Sequence, residues 1–168
     1  MKILALDSSG LVASVAVVEN DTLLAEYTVN YKKTHSQTLL PMLDEISNMT
    51  ELDLSTIDAI AVAGGPGSFT GLRIGSATAK GLGLALEKPL ISIPTTAAIA
   101  YNIWDTDKFV CPIMDARRNQ VYTGVYCYTD HRLDTVWEQD TMSIEALAEG
   151  LNCLDHEVIF LGDGVAVY

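Results

Sequence analysis

The chain has 168 residues, is 49% hydrophobic and carries a net charge of −12 with a pI near 4.4. That length allows one domain, or two small lobes, around a sizeable core. The acidic balance argues against direct nucleic-acid binding, which needs cations to neutralise phosphates.

Met1–Leu6 runs directly into a strand pattern, so no signal peptide is read there. Lys2–Leu6 is a continuous apolar strand that ends in the turn Asp7-Ser8-Ser9-Gly10. Leu11–Glu19 is β-rich, and Asn20-Asp21 turns it into a third strand, Thr22–Asn30. Thr34 to about Met49 reads as a helix. Thr34 and Gln37 form a capping box, and Leu39, Leu40, Leu43 and Ile46 make the apolar face. A polar connection, Met49–Ile57, leads to a buried strand at Ala59–Ala63.

Next comes the stretch Gly64–Leu86, a Gly/Pro-rich turn followed by a helix in which only Arg73 and Lys80 carry charge between Thr70 and Leu86. Gly71, Gly75, Ala79 and Gly83 recur every fourth residue and make one stripe of small side chains. Gly75, Gly81 and Gly83 together cost about 3 kcal/mol of helix propensity. A close neighbour is expected to offset that cost. Two cations, many glycines and a length short of the ~20 residues a membrane span needs argue against a transmembrane helix. A strand at Pro89–Ile93 and a short helix at Thr95–Ile103 complete the order βββαβαβα.

The pattern then restarts. Phe109–Met114 is a strand ending at Asp115, and Gln120–Tyr128 is β-rich. Asp130-His131-Arg132 turns it into Leu133–Gln139, Met142–Leu151 is helical, and Val158–Leu161 is a strand before Gly162-Asp163-Gly164. Element order, rather than identity, carries this repeat. It predicts an α/β chain of two lobes, 1–104 and 105–168, the second truncated where a partner of the Gly71–Leu86 helix is due.

The candidate chemistry is sparse. Gly64–Gly71, with Gly65 at its tightest point, sits at a helix N-terminus as phosphate loops do. It lacks GxxxxGK[ST] and a ribose-binding acid, so an ordinary tight turn is the better reading. Asp7, with Ser8, and Asp115 each end the first strand of a hairpin. Each can hold a metal-bound water or an anion contact, or close an Asx turn, and both readings stay open. Arg117 and Arg118 can bind an anion, although a solvated turn is the simpler reading. His35, His131 and His156 lack partners at ligand spacing, so neither a metal nor another cofactor is expected. Cys111, Cys127 and Cys153 are odd in number without CxxC spacing, which reads as reduced thiols of a cytoplasmic protein. No catalytic set can be assembled.

Several segments carry a family resemblance. They are Ile3–Ser9, Thr34-His35-Ser36-Gln37 with Leu40-Pro41, the run Gly64-Gly65-Pro66-Gly67-Ser68-Phe69-Thr70-Gly71-Leu72-Arg73-Ile74-Gly75, and Asp115-Ala116-Arg117-Arg118 with Val121-Tyr122. Together they resemble the TsaB (YeaZ) family over essentially the whole chain. The resemblance implies an actin/Hsp70-like, ribonuclease H-like ATPase fold in two lobes. It also implies a non-catalytic subunit in making threonylcarbamoyladenosine beside the anticodon of tRNAs that read A-starting codons. The partners it implies are the catalytic paralogue TsaD and the small ATPase TsaE, with a homodimer using the same surface. By this likeness the partner surface is expected on Leu72, Gly75, Ser76, Ala79, Leu82 and Gly83, with Leu39, Leu40 and Leu43 nearby. The alternative is an actin-like small-molecule kinase or ATPase using Asp7, Asp115 and the Gly-rich turn.

Overall fold

A computed structural model describes residues 1–31 and 34–168. They form two compact units, Met1–Ile93 and Pro94–Tyr168.

The first unit is one five-stranded sheet with helices packed on it. Strands β1 (Lys2–Asp7), β2 (Ala13–Glu19) and β3 (Thr22–Val29) form an antiparallel meander. Asn20 and Asp21, both left-handed, make the tight turn between β2 and β3. After helix α1 (Leu39–Thr50), strand β4 (Ala59–Gly65) returns parallel to β1. Helix α2 (Phe69–Leu86) then leads to β5 (Leu90–Pro94), giving the order β3-β2-β1-β4-β5. Alternate residues of β1 and β2 (Leu4, Leu6, Val15, Val17) meet Leu39, Met42, Leu43 and Ile46 of α1, with Ile60 of β4 and Ala79 of α2. Each large aliphatic side chain fully buried there contributes roughly 1.5–3 kcal/mol.

Helix α1 starts later than the sequence suggests. Thr34 makes no side-chain cap, and a 3₁₀ turn, His35–Gln37, precedes α1 at Leu39. The reason is Pro41. An α-helix running from Thr34 would need the Pro41 nitrogen to donate to Gln37, and proline has no N–H. Beginning at Leu39 puts Pro41 in the first turn, where no backbone donor is required.

Both helices of this unit end in Schellman closures. Leu52 N–H donates to the Ser47 carbonyl and Lys88 N–H to that of Gly83, each at 2.9 Å. The left-handed residue in each closure is a glutamate, Glu51 (φ 51°) and Glu87 (φ 57°), where glycine is the unstrained choice. Both also set a negative charge at the negative end of a helix. Glu87→Gly is therefore expected to stabilise the chain by about 1 kcal/mol, read as a higher urea midpoint at constant slope.

The second unit repeats the meander. Strands β6 (Phe109–Asp115), β7 (Gln120–Thr129) and β8 (Arg132–Ser143) run antiparallel, and β9 (Val158–Leu161) pairs parallel to β6. Helix α3 (Thr95–Ala100), which the sequence pattern groups with the first lobe, packs on β6 and β7. On one side Cys111, Ile113, Val121 and Val125 meet Leu147 and Leu151 of helix α4 (Ile144–Asn152). On the other, Val110 and Tyr126 meet Ala100 of α3. A strand covered on both faces reads as an unbroken apolar run, as Phe109–Met114 does. Thr96, fully buried, joins the Tyr126 hydroxyl at 2.7 Å and donates to Gln139 at 3.0 Å, so the two buried hydroxyls are paired.

Candidate functional site

The Gly-rich turn is fastened to the end of β1. Ser8, buried, donates its hydroxyl to the Gly71 carbonyl at 2.9 Å, and Ser68 N–H donates to the Ser9 carbonyl at 2.7 Å. The Ser68 side chain caps α2 by accepting from Gly71 N–H at 3.3 Å. Gly65, at φ +105°, closes the turn beneath Leu72, and Gly67 packs on the Ser9 backbone. The first turn of α2 thus finds a partner within its own loop.

The expected partner stripe lies on the inside. A Cβ at Gly71 would fall on the Ser8 carbonyl oxygen, and one at Gly75 would meet the Ser8 hydroxyl. Ala79 is fully buried, and a Cβ at Gly83 would come within 2.8 Å of Leu90. The close neighbour that the glycines require is the unit's own sheet, so Gly75, Ala79 and Gly83 do not present an interface. Leu39 and Leu43 are core residues for the same reason: they fill the space between α1 and the meander. Leu72, Ser76 and Leu82 are half-buried, and Leu82 packs against the core. Leu40, 53% exposed, is the one residue of the expected set that points outward.

The outward face of α2 is Phe69, Arg73, Ala77, Lys80 and Leu84, all exposed. Phe69 and Leu84 lie at its two ends, 68% and 84% exposed, and the Arg73 guanidinium stacks on the Phe69 ring at 3.8 Å. Beside it, the outward face of α1 is Leu40, Asp44, Glu45 and Met49. One helix thus shows two cations between apolar ends, and its neighbour shows two acids between apolar ends. Between α2 and the strands β4 and β5 runs a groove of about 610 Å³ with an apolar floor that includes Val62, Leu72 and Leu90. The signal for this face is present in the sequence. Arg73 and Lys80, two turns apart, mark the wet side of α2, and the small-residue row is the opposite side.

The two strand-end aspartates close matching turns. Asp7 Oδ1 accepts from Ser9 N–H at 2.7 Å, and Asp115 Oδ1 accepts from Arg117 N–H at 2.8 Å. Asp115 also pairs with the Arg117 guanidinium at 3.2 Å, and its N–H donates to Asp163 at 3.2 Å. His35 meets the Gly10 carbonyl at 2.9 Å, where its Nε2–H is the donor, so it fastens the 3₁₀ turn to the first hairpin. Cys111, buried beside the Thr123 hydroxyl, has its thiol pushed up to about 11 by burial and is not a thiolate at neutral pH. Among the described residues, no cluster of His, Cys, Asp and Glu has the geometry to hold a metal, and no helix is long and apolar enough to cross a membrane.

A family model described as "TsaD: tRNA N6-adenosine threonylcarbamoyltransferase" matches residues 22–168. The relatives narrow this. The tRNA threonylcarbamoyladenosine biosynthesis protein TsaB of Bacillus subtilis is 36% identical over 168 residues, all of this chain and 73% of its own length. The chain belongs to the TsaB (YeaZ) family. The Escherichia coli TsaB is 32% identical over 98% of the chain and 72% of its own length. Among solved structures, YeaZ from Pseudomonas aeruginosa superposes with a TM-score of 0.76 at 31% identity, covering 86% of this chain and 68% of the other. EutJ from Carboxydothermus hydrogenoformans, at 11% identity and a TM-score of 0.52 over 92% of this chain and 56% of its own, shares the fold alone. The fold of this TsaB-family chain is the actin/Hsp70-like α/β fold.

Proposed function

We propose that this chain acts in threonylcarbamoyladenosine biosynthesis on tRNA as a non-catalytic subunit. It binds and supports the catalytic paralogue TsaD, with TsaE as the further partner. The reading rests on the names its TsaB relatives carry and on one structural observation, the paired outward faces of α1 and α2. An acid-bearing helix beside a cation-bearing helix is self-complementary. Placed against a surface of the same design, α1 meets the partner's α2 and α2 meets its α1. A second copy of this chain fits that description, and TsaD, as a paralogue, is the partner for which the same design is proposed. The Asx turns at Asp7 and Asp115 support an accessory role, since each carboxylate already serves its own hairpin.

The test is reconstitution. The chain is mixed with TsaD and TsaE from the same organism, assembly is followed by size-exclusion chromatography, and modification of a tRNA transcript is assayed with and without it. Co-elution and a loss of modification on omission are expected. Full modification without the chain would overturn the accessory role, and modification by the chain alone would make it an enzyme.

A further inference from the structure

The turn between β6 and β7 is built unlike those between β2 and β3 and between β7 and β8. Those place Asn20-Asp21 and Asp130-His131 in the left-handed region, residue types that enter it readily. The third places Arg117, Arg118 and Asn119 there in succession, at φ 67°, 56° and 57°. Two long cationic side chains thus hold a backbone conformation that glycine or asparagine would adopt with less strain. Strain of this kind collects where a side chain is needed for something other than folding.

The geometry around the turn is that of an anion cradle. Ala116 N–H donates to the Gln120 carbonyl and Gln120 N–H to that of Arg117, which closes the loop. Arg117 N–H is held by Asp115. The next two N–H groups, of Arg118 and Asn119, meet no acceptor among the described residues. Successive free N–H groups in a turn form a concavity that favours anions. The Arg118 guanidinium makes no ion pair among the described residues, and that of Arg117 is 84% exposed above Asp115. These groups line an open depression of about 660 Å³ with Val167 and Tyr168.

We infer that the Arg117–Asn119 turn grips a backbone phosphate of the tRNA on which the complex acts, an inference that rests on the function proposed above. The cradle fits one phosphate group. A grip of this kind positions RNA without reading its sequence. The chain's charge of −12 repels RNA at long range, so the turn acts only when partner subunits bring the RNA to it.

The experiment compares three forms of the chain in complex with TsaD and TsaE: wild type, Arg117→Asn with Arg118→Gly, and Arg117→Lys with Arg118→Lys. Binding of a fluorescent tRNA transcript is followed by anisotropy across a salt series. The Asn/Gly form is expected to bind about five-fold more weakly near physiological salt for each phosphate it no longer grips. Its log K against log salt slope should be shallower by about 0.9 per phosphate. Its thermal midpoint should rise, because the replaced residues suit a left-handed turn. The lysine form should keep the slope. Two results overturn the inference while leaving the proposed function standing. One is an assembled Asn/Gly complex with the wild-type affinity and slope. The other is saturable binding of ATP or inorganic phosphate by the isolated wild-type chain that the Asn/Gly form does not show, which would assign the cradle to a free ligand. A wild-type chain that does not assemble with TsaD overturns both.

Discussion

Gly71→Ala is expected to destabilise the first unit by about 3 kcal/mol, while Gly81→Ala, the same change ten residues along the same helix, stabilises it by about 1 kcal/mol. The new methyl at Gly71 would fall on the Ser8 carbonyl oxygen, a backbone atom fixed just past the end of β1, so α2 or the strand end must shift. Gly81 faces open space and is exposed, so only the gain in helix propensity remains. Urea denaturation of the isolated chain checks both. If the small-residue row were a partner surface, Gly71→Ala would leave the isolated chain's midpoint nearly unchanged and act only on assembly. A destabilisation of about 3 kcal/mol is a large share of the roughly 5–15 kcal/mol that holds a typical domain together. Poor soluble yield of this variant at physiological temperature is part of the expected result.

The second large effect is on association. Arg73→Glu with Lys80→Glu puts four like charges on the adjoining faces of α1 and α2 and removes the complement to Asp44 and Glu45. Like charges facing each other across an interface cost several kcal/mol, so the affinity for the partner proposed above, TsaD or a second copy, should fall at least a hundred-fold. Both changed residues are exposed, and the thermal midpoint of the chain alone should move little. Analytical ultracentrifugation gives the assembly constants. For the self-associated form, a chain carrying Asp44→Lys and Glu45→Lys should bind the reversed chain and recover much of the affinity. Recovery places the two faces opposite one another, and its absence removes the arrangement.

Much of the architecture is legible in the amino-acid order because strand and helix periods differ. The apolar runs at Lys2–Leu6 and Phe109–Met114, each followed by a turn and a β-rich segment, point to both meanders. Two features are easily misread there. The start of α1 depends on a backbone donor that proline lacks, which outweighs the apparent capping box at Thr34. The phase of α2 depends on what its glycines touch. Propensity assigns them a cost; at Gly71 and Gly75 the offset comes from a strand end more than sixty residues earlier in the chain, at Gly83 from Leu90, and at Gly81 nothing offsets it. A long-range backbone contact leaves no periodic trace near the helix. The charged pair Arg73 and Lys80 does mark the outer side, and it outweighs the glycine row as evidence of what faces water. At Asp7 and Asp115 residue type alone leaves two readings open, and the side-chain bond to the second following N–H is visible only in three dimensions.

The seating of α2 on the end of β1 also decides how the first unit responds to load. Most helices ride on a sheet through long side chains, which absorb small displacements by changing rotamer. Here the contact at Gly71 and Gly75 is with the Ser8 main chain and hydroxyl, and Ser8 in turn holds the Gly71 carbonyl. Such a contact has almost no compliance. A push on the outer side of α2, from Phe69 to Leu84, is carried as rigid-body motion to the end of β1 and the hairpin at Asp7–Gly10. The outer face and that hairpin are two ends of one stiff lever.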